Sequence, residues 1–187
     1  MTLLRRADKA RNWEPKIDIA LEERVTPVRA KSPDELVTLF SDEVWRFASA
    51  QVRCREDAED VVMETFAAAF RSFNRLETAE NQSHWLLGVA RNKVADTHRK
   101  RYRRAEEPLK DDHVAGSPDS AGVLARQVIA DLPESQREVI TLKYVNGLST
   151  EEIAHVTRRT PAATNSLLQR GRQSLRAALG LPTGENQ

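Results

Sequence analysis

Apolar residues recur along this chain every three or four positions, and the recurrence breaks at a few sharp places. Leu36, Leu39, Phe40, Val44 and Phe47 form one stripe, opened by Ser32 as a helix N-cap and Pro33 at the first helical position. Ala58, Val61, Val62, Phe66, Ala69, Phe70 and Phe73 form a second, with Asp60, Glu64, Ala67 and Arg71 on the opposite side. A polar break, NRLETAENQS, separates it from a third helix, His84 to about Arg103, with Leu86, Ala90, Val94 and Thr97 on one side. Residues 105–121, AEEPLKDDHVAGSPDSA, lose the period and carry the proline, glycine, serine and acids of a linker. Val123, Leu124, Val128 and Ile129 then begin a second helical unit that ends near Leu181.

Residues 132–179 of that unit have the clearest punctuation. Pro133 suits the first turn of a helix, and Gly147 can adopt the positive φ that ends it. Ser149 and Glu152 make a capping box for a short helix, and Thr160 with Pro161 opens a longer one. The result reads as a helix-turn-helix behind a support helix. The predicted fold is therefore all-α: two small helical domains, 32–104 and 122–181, joined by a flexible linker at 105–121. A charged extension, 1–31, holds Pro15, Pro27 and a weak helical pattern at Ile17–Arg24, and a short tail occupies 182–187.

Composition narrows the function. Aromatic content of 5% and seven glycines in 187 residues favour helices. No run of eighteen apolar residues exists, so membrane insertion is not expected. The N-terminus lacks the apolar core of a secretory signal, and a cytoplasmic protein is expected. The one cysteine, Cys54, has no partner for an internal disulfide and belongs to no CxxC or Cys/His set, so it reads as a small structural residue. No cofactor is implied. Net charge is only +1, yet the charges are segregated. Asp57, Glu59, Asp60 and Glu64 cluster without a base; Arg99, Lys100, Arg101, Arg103 and Arg104 cluster without an acid. Arg158, Arg159, Arg170, Arg172 and Arg176 follow in a stretch that also lacks acids. Segregated charge points to different partners for different faces.

The last helix divides into two faces. Thr164, Leu168, Gly171, Leu175 and Ala178 share one. Ala162, Asn165, Ser166, Gln169, Arg172, Gln173 and Arg176 occupy the other: small and amide groups first, arginines later. The N-terminal part of such a helix is the part that enters a DNA major groove.

Three blocks in this order resemble the sigma-70 family of bacterial RNA polymerase sigma factors, specifically the extracytoplasmic-function type: DAEDVVMETFAAAFRSF at 57–73, SHWLLGVARNKVADTHRKRYRR at 83–104, and LPESQREVITLKYVNGLSTEEIA at 132–154. The resemblance implies a non-catalytic specificity subunit whose partners are core RNA polymerase, promoter DNA and an anti-sigma factor. It implies that Asp57, Asp60 and Glu64 dock on the clamp helices of the polymerase's largest subunit; a merely solvated acidic face is the competing account. It sets the third helix against the −10 element, with Arg91, Asn92, Asp96, Arg99, Lys100 and Arg103 facing DNA. The loop 74–83 would hold a flipped non-template base, with Asn81 and Gln82 bonding its edge. Trp85 serves either as a core partner of Leu86, the commoner role at such a position, or as a stacking surface for DNA. The −35 element falls to Arg158, Arg159, Thr160, Ala162, Asn165, Ser166, Gln169, Arg170, Arg172, Gln173 and Arg176.

The chain departs from the family pattern in the turn RRT, which lacks the usual small apolar-glycine-apolar sequence, and at Asn165 and Leu167, where relatives often carry bases. Two other functions are weighed against the first. A stand-alone helix-turn-helix regulator accounts for 132–179 but not for the acidic face and basic helix before it. A metal-dependent nuclease would use Asp57, Asp60 and Glu64 around Mg²⁺, but no general base is grouped with them.

Overall fold

The computed structural model describes residues 28–103 and 127–181. The linker, the tail, most of the extension and the weak pattern at Ile17–Arg24 lie outside the described residues. Seven helices can be bounded: α1 Pro33–Gln51, α2 Arg55–Arg71, α3 Phe73–Glu77, α4 Gln82–Arg103, α5 Glu134–Tyr144, α6 Thr150–Thr157 and α7 Pro161–Ala178. A further helical turn spans 127–130. No strand occurs among the described residues, and none of their helices is long and apolar enough to cross a membrane.

The caps sit where the sequence puts them. Ser32 Oγ accepts from the Glu35 amide at 3.2 Å, with Pro33 in the first turn. Ser149 and Glu152 exchange both bonds of the capping box, at 3.2 and 2.7 Å. Thr160 Oγ1 accepts from the Ala163 amide at 3.2 Å. Gly147 has φ 77°, and the chain turns there from α5 toward α6. Pro133, expected in the first turn, stands just before it as the N-cap of α5.

Helices α1, α2 and α4 pack on one another through Leu36, Val44, Phe47, Ala58, Val61, Leu86, Leu87 and Ala90, all at most 1% exposed. Two residues of the predicted stripes lie elsewhere. Leu39 and Phe70 are each 43% exposed, because the α1 and α2 stripes are narrower than their apolar runs. The polar break contains the short helix α3, held by fully buried Leu76. In the second unit α5 packs on α7, with Val139, Ile140, Thr164, Leu168 and Gly171 inside. A Cβ at Gly171 would lie 2.7 Å from Ile140 Cγ1, so glycine is what lets these helices close.

The two units touch. Helix α1 packs against α5 and α4 against α6, and their apolar residues form one connected core. Residues 28–31, the end of the expected extension, also pack on the first unit: Ala30 is 2% exposed.

Candidate nucleic-acid interface

Helix α7 presents the face expected of it. Thr164, Leu168 and Gly171 are buried, while Ala162, Asn165, Ser166, Gln169, Arg170, Arg172, Gln173 and Arg176 are all exposed. Ser166 Oγ donates to the Ala162 carbonyl at 3.0 Å and Arg170 Nε to the Ser166 carbonyl at 3.2 Å. Within the described residues Arg170, Arg172 and Arg176 form no ion pair. The RRT turn solves its geometry without glycine: Arg158 takes φ 55°, ψ 42° as the C-cap of α6. Left-handed backbone in a non-glycine residue costs of order 1 kcal/mol. In return it keeps an exposed guanidinium at the turn. Thr160 is exposed, but its hydroxyl already caps α7.

Arg159 behaves differently. Its Nη1 donates to Glu138 Oε2 at 2.6 Å. Glu138 is 7% exposed, and its other oxygen accepts from Arg91 Nε on α4. One carboxylate thus joins two arginines that the sequence assigned to two separate DNA surfaces. Around it, Gln51 Nε2 donates to Thr141 Oγ1 at 2.9 Å, Arg137 Nη1 donates to the Gln51 carbonyl at 3.0 Å, and Asn146 Nδ2 donates to the Glu43 carbonyl at 3.1 Å. A polar clasp therefore closes the two units across α1, α4 and α5.

The α4 surface is accordingly mixed. Asn92 and Arg103 are exposed. Asp96 pairs with Arg99 on its own helix. Lys100 lies 3.6 Å from Glu64. Asn81 Oδ1 accepts from the His84 amide at 3.1 Å and so caps the start of α4. Trp85 is half-buried against the core and also lines the groove between α4 and α6. Gln82 is the clear exception: it is 2% exposed, and both ends of its amide bond Ala30, at 2.7 and 3.0 Å. It is not free to bond a base edge, because its polar atoms are already satisfied.

The three acids of α2 are also unequal. Asp57 pairs with Arg101 Nε at 2.6 Å, and Glu64 with Lys93 Nζ at 3.0 Å. The Lys93 bond, opposed by burial, holds the Glu64 carboxyl below its ordinary range. Asp60 alone is exposed and without an ion pair among the described residues. The acids thus do not stand together as an exposed trio. Next to Asp60 lies Met63, 66% exposed, and on the same side of α2, about 15 Å further along, lies Phe70, 43% exposed; neither was expected on this surface. Glu138 was likewise missed. Its signal was present: it shares the buried side of α5 with Thr141 and Leu142, and a carboxylate there requires a cationic partner. Cys54 is buried, and burial raises its thiol pKa, which fits a structural residue. No group of three or more His, Cys, Asp or Glu side chains converges as metal ligands would among the described residues.

Comparison with known proteins agrees with this architecture. Residues 36–104 match the family model for sigma-70 region 2, and residues 123–175 the model for sigma-70 region 4. The chain is 29% identical over 154 residues to the ECF RNA polymerase sigma factor SigM of Bacillus subtilis, covering 77% of this chain and 93% of that protein. It is 33% identical over 153 residues to the ECF RNA polymerase sigma factor SigC of Mycobacterium tuberculosis, covering 77% and 81%. The fold also matches the sigma factor RpoE of Bartonella quintana, solved with the anti-sigma factor NepR, with a TM-score of 0.71 at 24% identity over 80% of this chain and 98% of that one. The helix-turn-helix behind its support helix and the helical unit before it are the two conserved regions of one family, and the chain belongs to the sigma-70 family of RNA polymerase sigma factors, of the extracytoplasmic-function type.

Proposed function

We propose that this sigma factor, which directs core RNA polymerase to specific promoters, divides its work among three surfaces. Helix α7 reads the −35 element from the major groove. Ala162, Asn165, Ser166 and Gln169 face base edges; Arg158, Arg170, Arg172, Gln173 and Arg176 hold the phosphate backbone. Helix α4 and the loop before it engage the −10 element through Asn81, Asn92, Arg99 and Arg103, joined by Arg91 once Glu138 releases it. Asp60 and Met63, with Phe70 further along the same side, form the polymerase-facing surface of α2. The factor is a non-catalytic, cytoplasmic subunit; the polymerase does the chemistry. The linker at 105–121 separates two domains that move apart on the promoter. An anti-sigma factor is a further partner, as the RpoE of Bartonella quintana was solved in complex with the anti-sigma factor NepR.

The observation that carries the reading is the α7 face, whose outward residues are exposed and include no acid from Arg158 to Arg176. A stand-alone regulator would share that face but has no use for the acidic patch of α2. A nuclease is disfavoured because Asp57 and Glu64 are paired with bases of α4.

Run-off transcription by holoenzyme on a panel of upstream promoter variants, at two salt concentrations, tests it. Asn165→Ala should alter which −35 sequence is preferred, by about 1–3 kcal/mol of discrimination. Arg172→Ala should weaken every promoter alike and reduce the salt slope by about one unit. Equal scaling of all promoters by Asn165→Ala would remove that residue from base readout.

A further inference from the structure

The segment just before α1 is bound to the loop that precedes α4. Arg29 Nη1 donates to the Glu77 carbonyl at 3.0 Å, and its Nη2 donates to the carbonyls of Ala79 and Glu80 at 2.8 and 3.3 Å. One residue on, the Ala30 amide donates to Gln82 Oε1 at 2.7 Å, and Gln82 Nε2 returns a bond to the Ala30 carbonyl at 3.0 Å. The other ties of residues 78–81 are local: the Ala79 amide donates to the Leu76 carbonyl at 3.0 Å, the Thr78 hydroxyl to the Asn74 and Arg75 carbonyls, and Asn81 bonds His84 and the Trp85 amide at the start of α4. Asn81 lies directly between the carbonyls held by Arg29 and the amide held by Ala30.

A guanidinium has a rigid planar fork of donors, so three carbonyls bound to one such group are fixed relative to one another. The Gln82–Ala30 pair is buried at both ends and sets the start of α4. These two anchors fix the curvature of the loop from either side. A pocket that receives an extruded base needs such rigidity, since a misplaced edge donor loses its discrimination.

We propose that residues 28–31 are a positioning strap for the base-reading loop, and that Arg29 sets −10 specificity through Asn81 without itself touching DNA. The inference rests on the assignment of that loop to the −10 element above. Arg29 is exposed and lies outside the packed core, so its removal leaves the helices intact while freeing the loop.

The test uses full-length factor in holoenzyme with core polymerase, on promoters carrying each of the four bases at each −10 position. Arg29→Ala should cut open-complex formation on the preferred promoter about tenfold. It should also compress the ratio between best and worst base at one −10 position by a similar factor. Affinity for core polymerase and the thermal melt should stay unchanged, and Arg29→Lys, with a charge but no fork, should recover only part of the ratio. Asn81→Ala in the same assay separates the two levels of the argument. If Asn81→Ala compresses the ratio and Arg29→Ala lowers all bases equally, the strap has no part in specificity and the proposal falls alone. If Asn81→Ala leaves every ratio unchanged, the loop is not the base pocket, and both the strap and the −10 assignment of the loop fall.

Discussion

Helices α4 and α7 are built from similar residues, basic and amide groups on one side of an amphipathic helix, yet they stand in different conditions. On α7 the outward groups are exposed, and Ser166 and Arg170 bond their own backbone. On α4 they are engaged: Arg91 with Glu138 of the second unit, Asp96 with Arg99, Lys100 with Glu64, and the His98 ring with the Gln51 carbonyl at 3.0 Å. Residue type alone does not decide which surface is available; what packs across from it does. In the closed arrangement the surface proposed for the −35 element is presented, whereas part of the surface proposed for the −10 element is used to hold the two units together.

The strongest way to break this comparison is to remove the core beneath one surface only. Phe47 is 1% exposed in the first unit. Phe47→Ala should cost about 3–5 kcal/mol, a large share of what a small domain has. No tryptophan lies in the second unit, and Trp45 and Trp85 lie in the first, so fluorescence follows the first unit. It should melt at a markedly lower temperature, while hydrogen exchange in α5–α7 stays protected. Simultaneous loss of protection in both units would mean that they fold as one body and that α4 and α7 cannot be compared as independent surfaces.

What was legible in the sequence follows the same division. Caps and periodic stripes are local, so Ser32, Ser149, Thr160 and Gly147 identified the helix ends, and the outward face of α7 was readable, although Ala178, expected on the inner face, is exposed. The errors lie where partners are distant in sequence. Gln82 looked like a free amide, and only its proximity to Ala30, 52 residues earlier, shows otherwise. Asp57, Asp60 and Glu64 share a helical face, but α4 reaches two of them and not the third. Arg91 and Arg159 were placed on two separate DNA surfaces, since nothing local to either betrays the Glu138 that joins them. Phe70 and Leu39 fit the helical period but fall outside the arc that α1, α2 and α4 bury.

A milder perturbation sharpens the comparison. Glu138→Gln keeps the volume of the side chain and removes the charge that Arg91 and Arg159 share. Breaking a fully buried pair costs about 3–5 kcal/mol, but these arginines are 29% and 26% exposed and can be rehydrated in place, so about 1–2 kcal/mol is expected. The Arg91 share should fall on closure of the two units, and the Arg159 share, which lies within the second unit, on that unit's own stability. Labels at exposed Arg71 and Gln173 should show the separated state rising roughly tenfold for each 1.4 kcal/mol lost. Non-specific duplex affinity should rise as both guanidinium groups are freed. An unchanged distance distribution would mean that the apolar contact of α1 with α5, not the carboxylate, sets the arrangement.

The smallest expected effect is with pH. His84 on α4 lies 3.4 Å from Glu152 on α6, and its side chain is only 14% exposed. Burial holds its pKa below the ordinary value, outweighing the pull of Glu152 and Glu43; His155 acts in the same direction as burial, and Glu80 against it. The folded protein therefore takes up this proton less readily than the unfolded chain. Stability is intact above the unfolded value, about pH 6.5, and declines as pH falls below it, until the folded form titrates as well. The slope contributed by one such group cannot exceed about 1.4 kcal/mol per pH unit. Two carboxylates lose their contributions further into acid: Glu64, held low by Lys93, and Glu152, which burial raises but its bonds with Ser149 lower overall. Denaturant titrations at half-unit steps from pH 7.5 to 5.5 should show a shallow decline that His84→Gln abolishes. A rise in stability over that range would mean that the Glu152 carboxylate outweighs burial. The α4–α6 contact would then tighten in acid, and α4 would be more firmly engaged there than at neutral pH.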